Sequence, residues 1–314
     1  MTPSPEPVVG RSVLTAGTRA SRLARWQSEW VMSRLRDMWP GLTLHTKVLT
    51  TAGDVLLDRP LPEIGGKGLF TAELEQALLS GEIDFAVHSL KDLPVDLPAG
   101  LRLGAISPRE DARDVLISKA GLKLMELPAG ARVGTSSLRR AAQLMAARPD
   151  LTMIPLRGNV DTRVRKGLGG DYDAVVLAGA GVKRLDLWKE VTELLPLAIM
   201  LPAPGQGAMA VQCRADDERT LSILAVIEHA PTRACVDAER TFLSTLAGGC
   251  SSPVAAYAHP VSEDGSGLIE LTGLVASVDG QRLIRITRQG PDPIRLGQQV
   301  AQDALRQGAQ ELLQ

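Results

Sequence analysis

The sequence has no surplus of either charge, few aromatic rings, few cysteines and no long apolar run, and each shortage removes a class of function. Lysine and arginine number 35 against 36 aspartate and glutamate, a formal net charge of -1, so the chain as a whole does not attract nucleic acid. Phe70, Phe85, Phe242, Tyr172, Tyr257 and 4 tryptophans are the only aromatic residues, a poor supply of platforms for stacking bases. Cys213, Cys235 and Cys250 are an odd number without C-x-x-C spacing, so neither a disulfide framework nor a zinc site is expected, and no metal. The most apolar stretch, Leu194 to Ala203, is broken by Pro196 and Pro202 and is too short to span a bilayer. The opening M-T-P-S-P-E-P-V-V-G has no charged region followed by an apolar run, so no signal peptide is expected. What remains is the expectation of a soluble protein of a reducing compartment, the cytoplasm, with neither membrane nor nucleic acid as a partner.

What is present is length and a local concentration of positive charge. A chain of 314 residues exceeds one typical core, so two or three domains are expected. Between Arg132 and Lys166 stand Arg132, Arg139, Arg140, Arg148, Arg157, Arg163, Arg165 and Lys166, with only Asp150 and Asp161 opposing them. In a balanced chain such a cluster is a local device, and arginine's planar fork suits carboxylate or phosphate.

Two stretches share one grammar. Val13 to Ala16 reads as a strand, followed by a Gly17-Thr18 turn and a helix from Ser21 to Met38 with Leu23, Trp26, Trp30, Val31 and Leu35 at helical spacing. A turn at Pro40-Gly41 leads to a strand over Leu42 to Leu49. Ala131 to Val133, Gly134-Thr135, a helix from Ser137 to Ala147, a Pro149-Asp150 turn and a strand over Leu151 to Leu156 repeat that order. G-E-I-D-F-A-V (81–87) echoes G-D-Y-D-A-V-V (170–176), each a turn feeding a buried strand. Two α/β domains of similar plan follow, unless two common strand–helix–strand units merely look alike. The first copy holds extra chain, Gly53 to Phe70, whose glycines make it a candidate lid. From His229 onward, a helix over 231–246, strands over Leu268 to Val278 and Arg282 to Arg288, and a last helix from Ile294 to Leu313 predict a small α+β domain.

Several motifs admit both a chemical and a plain reading. G-T-S-S-L-R-R (134–140) sets hydroxyls and free backbone N–H groups at a helix start, fit for an anion or for an ordinary serine cap. In R-G-N-V-D-T-R (157–163), Arg157 and Arg163 can converge on one ligand or decorate a surface turn. H-S-L-K-D-L-P (88–94) follows a buried strand, where α/β sheets bind ligands, and its Asp92 beside Lys91 is a candidate acid–base or a turn residue. His88 and Ser89 have no identifiable third partner for nucleophilic catalysis. G-G-K-G (65–68) lacks the spacing and hydroxyl of a phosphate loop. Cys250, in G-G-C-S-S-P, is a loop thiol suited to attachment or a buried cysteine; Cys213 and Cys235 read as buried.

In order along the chain, T-R-A-S (18–21), G-D (53–54), I-G-G-K-G-L-F (64–70), A-V-H-S-L-K-D-L-P (86–94), V-G-T-S-S-L-R-R (133–140), L-R-G-N-V-D-T-R (156–163), Y-D-A-V-V-L-A-G-A-G-V-K-R-L (172–185), L-P-A-P-G-Q-G-A (201–208), A-E-R (238–240) and G-G-C (248–250) resemble the porphobilinogen deaminase (hydroxymethylbilane synthase) family. The resemblance covers nearly everything after residue 10. It implies two type II periplasmic-binding-like α/β domains plus a small C-terminal α+β domain, divided as 11–107 with 208–227, 108–207, and 228–314. It implies a cytoplasmic, monomeric transferase that joins four porphobilinogen molecules head to tail with loss of ammonia, on one covalently bound dipyrromethane cofactor.

The resemblance also implies roles. Cys250 is the thioether attachment and Asp92 the catalytic carboxylate, protonating the leaving amine and later helping to remove the pyrrole α-proton. Lys91, Thr135, Ser137, Arg139, Arg140, Arg163 and Arg184 match cofactor-binding positions; Arg19, Ser21, Lys67, Arg157 and Gln206 match substrate-binding ones. Arg132, Arg148, Arg165 and Lys166 match none and revert to solvated charges. Glu63, Ala247 and Arg22 depart from the usual Lys, Glu and Pro of the family. The reading from another class is a non-catalytic anion-binding protein of the periplasmic-binding type.

Overall fold

The structure, a computed structural model, describes residues 13–51, 71–246, 252–261 and 267–313. In chain order the main elements are β1 (Val13–Arg19), α1 (Arg22–Met38), β2 (Thr43–Leu49), α2 (Ala72–Leu79), β3 (Phe85–Ser89) and β4 (Leu101–Ile106). Then come β5 (Asp114–Ser118), β6 (Arg132–Gly134), α3 (Leu138–Ala147), β7 (Thr152–Ile154), α4 (Val160–Gly169), β8 (Ala174–Ala178), α5 (Gly179–Arg184) and β9 (Glu193–Leu194). β10 (Met209–Arg214), α6 (Glu218–Leu224), α7 (Ala230–Thr245), β11 (Val254–Pro260), β12 (Ile269–Ala276), β13 (Leu283–Gly290), α8 (Pro293–Arg306) and α9 (Ala309–Leu312) follow.

Two sheets of 5 strands share one plan, β2-β1-β3-β10-β4 and β7-β6-β8-β5-β9. In each the leading trio is parallel and the next strand runs against it. That reversed strand comes from chain connecting the two halves: β5 enters straight after β4, and β10 returns to pair with β3 and β4. The repeated grammar is therefore a repeated fold, two α/β sheets of one strand order. A third sheet, β11-β12-β13, is antiparallel. α7 and α8 bring Phe242, Leu246, Leu296 and Val300 into its core with Leu271 and Val275.

Local chemistry explains most element starts. Ser21 Oγ accepts from Ala24 N and opens α1; Ser137 Oγ accepts from Arg140 N and opens α3. α1 buries Ala24, Gln27, Ser28, Val31, Met32 and Leu35 along one stripe.

Four expectations need correction. Gly17 and Thr18 are not a turn but lie within β1 toward its end, and a Cβ at Gly17 would lie 2.3 Å from Ile83 Cδ1; the glycine is there for close packing. Trp26 is 37% exposed rather than core, because the buried stripe of α1 runs through Gln27 and Ser28 instead. The last helix is interrupted at Gly308, whose φ of 93° is left-handed. β11, unforeseen as a strand, precedes the other two. The Gly53–Phe70 segment, including Lys67, lies outside the described residues, as do Ala247 and Cys250.

Candidate functional site

Strand direction gathers the candidate residues at one edge of each sheet. β1 ends at Arg19, β3 at Ser89, β6 at Gly134 and β8 at Ala178. The reversed strands begin where these end: Met209 of β10 lies opposite Ser89, and Asp114 of β5 lies opposite Ala178. Residues 89–92, 135–140, 178–184 and 205–208 thus face one another across the two domains, as ligand-binding turns of α/β sheets do.

Asp114, which no motif had singled out, stands at the centre of this arrangement. It is fully buried. Its Oδ2 accepts from Arg139 Nη1 at 2.8 Å, and its Oδ1 accepts from Arg140 Nη2 at 2.8 Å and Gln206 Nε2 at 2.9 Å. Burial alone would raise this carboxyl, but the Arg139 and Arg140 guanidiniums, aided by Lys91, hold it well below the usual carboxylate range. Arg139 is buried here: its Nη1 also donates to Leu201 O at 2.7 Å, and it is 5% exposed. Arg140 donates to Val176 O as well, yet its buried Nε has no hydrogen-bond partner among the described residues.

Arg140 also lines a small cleft whose charged lining is Lys91, Arg140, Arg163 and Arg184, with Ser89, Gln206 and Ala208 beside them. Burial pushes the Lys91 ammonium down to about 8, against the pull of Asp92; its Nζ donates to Gln206 Oε1 at 3.3 Å. Burial likewise lowers Arg163 and Arg184 to about 10, so both remain cations. Arg163 Nε donates to Gly158 O at 2.7 Å and Arg184 Nη2 to Gly207 O at 2.7 Å, each using one part of its fork. Gly207 has φ 93°, and a Cβ there would meet Glu110 O at 2.3 Å; only glycine lets this turn approach so closely. Asp92 ends the 3₁₀ turn Leu90–Asp92, is exposed, and its charge reaches both Lys91 and Arg163.

Other candidates take humbler places. Ser21 and Ser137 hydroxyls cap their helices, and Thr135 Oγ1 accepts from Ser137 N. Arg19 lies near His88, whose ring burial, with help from Arg19, pushes down to about 4 and so keeps neutral. Ser89 Oγ accepts from Gln27 Nε2, which leaves no nucleophile–base pair with His88. Arg157 is partly exposed and its carbonyl accepts from Lys166 Nζ. Arg148 is not simply solvated: it pairs with Asp150 and donates to Leu124 O and Leu127 O. Arg132 pairs with Asp173. Burial raises the Cys213 and Cys235 thiols to about 11, as expected of structural cysteines.

A larger cavity of about 590 Å³ lies elsewhere, between residues 108–113, the start of α7 and the end of β11. Its Arg109, Arg113 and Glu110 are already paired with Glu239, Asp111 and Lys183, so it offers no surplus charge. The cation-lined cleft holds about 80 Å³, room for a few water-sized groups: the carboxylate end of a ligand, not a two-ring body. Among the described residues no cluster of His, Cys, Asp and Glu could hold a metal ion, and no helix is long and apolar enough to cross a membrane.

Two like α/β sheets beside a cation-lined cleft, with the exposed Asp92 close enough for its charge to reach Lys91 and Arg163, make an arrangement of the kind that suits carboxylated small molecules. The family model "Porphobilinogen deaminase, dipyromethane cofactor binding domain" matches residues 14–222, and "Porphobilinogen deaminase, C-terminal domain" matches 233–306. The porphobilinogen deaminase of Brevibacillus brevis is 52% identical over 95% of this chain and 95% of its own. That of Desulforudis audaxviator is 52% identical over 96% and 97%. Among solved structures, the methionine-binding protein MetQ aligns over 71% of this chain and 92% of its own, at 14% identity and a TM-score of 0.43. The chain belongs to the porphobilinogen deaminase family.

Proposed function

We infer that this chain is the transferase that joins four porphobilinogen molecules head to tail into hydroxymethylbilane, releasing ammonia at each addition, with one dipyrromethane held covalently. The single observation that carries the site assignment is the surplus of buried positive charge facing the cleft. Lys91, Arg140, Arg163 and Arg184 line it, Asp114 offsets only part of that charge, and Arg140 Nε has no hydrogen-bond partner among the described residues. Such a donor set fits the acetate and propionate groups of pyrroles, each a partner for a charge-assisted bond. When bound, the dipyrromethane would supply the pyrrole that accepts the first unit.

The chain's own residues supply the rest. Lys91, Arg140, Arg163 and Arg184 hold carboxylates and orient the rings. Asp92 donates a proton to the departing amine, stabilises the cation left on the substrate, and helps remove the α-proton of the accepting ring, so one carboxyl alternates between acid and base. Cys250 carries the thioether, and Arg19, Lys67, Arg157 and Gln206 serve the incoming unit. Arg139, Thr135, Ser137 and Ser21 act at one remove, through Asp114 and the helix starts they build. The domains run 11–107 with 208–227, 108–207, and 228–314, and the enzyme works as a cytoplasmic monomer.

Intact mass spectrometry tests the reading. Wild-type protein should exceed its sequence mass by one dipyrromethane, and porphobilinogen should add further units of constant mass while ammonia appears. Bare chain mass together with no ammonia release overturns it.

Lys91 makes the reaction pH-sensitive. Its folded-state value near 8 means the ammonium is charged below that pH and lost above it. The KM for porphobilinogen should therefore rise as pH passes about 8, and Lys91→Arg, permanently charged, should move that rise to higher pH. A wild-type KM flat from pH 7 to 9 would remove Lys91 from ligand binding.

A further inference from the structure

The A-E-R segment at 238–240 lies on α7, outside the cleft, and has no part in the chemistry above. Arg240 is nonetheless a buried cation aimed at the loop that follows Asp92. Its Nη1 donates to Leu93 O at 3.2 Å, and its Nη2 to Pro94 O at 2.7 Å and Val95 O at 3.2 Å. Arg240 is 9% exposed. Three consecutive carbonyls converging on one guanidinium is an unusual arrangement for chain that has no ladder of its own. Leu93 leaves the 3₁₀ turn extended, with ψ 134°, and Pro94 has no N–H with which to form one.

The neighbouring residue does the same for the other wall. Glu239 is fully buried, pairs with Arg109 at 2.6 Å, and accepts from Gly205 N at 2.6 Å and Ala258 N at 2.7 Å. Gly205 precedes Gln206, the partner of Lys91 and Asp114. One turn of α7 thus grips both the 93–95 loop and the 205–206 turn.

We propose that Arg240 is a positioning residue that ties the Asp92 loop to α7, so that the Asp92 carboxylate keeps its place beside Lys91 and Arg163. These three contacts of Arg240 are to backbone carbonyls and not to the Asp92 carboxylate. It acts through the backbone of 93–95, and a loop displaced by about 1 Å can cost about 100-fold in rate. The planar fork matters, because an ammonium cannot reach three carbonyls spread along a chain as a guanidinium does.

The proposal rests on the deaminase reading, and its test separates the two. Arg240→Met keeps the stem and removes the fork; Arg240→Lys keeps the charge. Holoprotein of each is quantified by adduct mass, and kcat is expressed per adduct-bearing molecule. The expected result is a KM within about twofold of wild type and a kcat lowered about 10- to 100-fold in Arg240→Met, with Arg240→Lys between the two. Hydrogen exchange of the peptide spanning 90–96 should quicken in Arg240→Met while peptides from β6, α3 and β8 stay unchanged, a readout independent of turnover. Unchanged exchange over 90–96, or a rise in KM at unaltered kcat, overturns the proposal. Should Arg240→Met not fold, full kcat and slow exchange in Arg240→Lys overturn it equally. Absence of adduct in wild type would instead sink the deaminase reading and leave the exchange result standing.

Discussion

Asp92→Asn is expected to keep the covalent adduct and lose at least about 100-fold in turnover. The residue is exposed at the end of the 3₁₀ turn, accepts none of the hydrogen bonds that hold the fold, and sits where its charge reaches Lys91 and Arg163. Asparagine preserves its shape and removes its proton exchange. Stability should change by less than about 0.5 kcal/mol, as at exposed positions generally. Cys250→Ser should fail differently, giving protein of bare chain mass that neither binds the first unit covalently nor releases ammonia. The pair therefore separates anchoring from proton transfer. Near-normal turnover in Asp92→Asn would take that carboxylate out of the mechanism, and an adduct surviving in Cys250→Ser would move the anchor elsewhere.

Asp114→Asn should damage the protein far more than its distance from the reacting atoms implies. The carboxylate is fully buried and opposes two buried guanidiniums, with Gln206 completing its contacts. Asparagine removes the negative charge and turns one acceptor into a donor facing a cation. Removing one partner of a buried ion pair costs about 3–5 kcal/mol, because the other charge is left without compensation. In a domain of this size that corresponds to a fall in melting temperature of more than about 10 °C, read by calorimetry. The pH dependence has a definite sign. Since the folded-state carboxyl is depressed, its stabilising contribution is complete above its unfolded value near 4 and is lost as pH falls through the folded value. Wild type should thus hold its stability from pH 7 to about 5 as far as this group is concerned, and Asp114→Asn should flatten the loss below that. A variant melting within about 2 °C of wild type would show that the arginines find other partners.

The local parts of this molecule could be read without coordinates. Strand–helix–strand units announce themselves through periodicity and turn residues, so both copies, a serine cap in 134–140, and the placement of Asp92 after the strand Phe85–Ser89 were all legible. The arginine cluster was legible as a charge but not as a geometry. Arg139, expected to meet ligand, turns its Nη1 to Asp114 and Leu201 O. Arg140, next to it, keeps one buried nitrogen free of protein partners among the described residues. Adjacent residues of one helix point about 100° apart, and only the packing of that helix decides which of them meets the cleft.

The amino-acid sequence by itself determined the plan of two like α/β units and a third domain, and the kinds of residue at the cleft, because these follow from short-range periodicity and from residue chemistry. Tertiary structure alone decided which charges are spent inside the protein and which remain for a ligand. Asp114 lies 25 residues from Arg139 and 92 from Gln206, and Arg240 lies 146 from Pro94. No spacing rule spans such distances. The fate of a buried charge depends on the partner that folding brings to it.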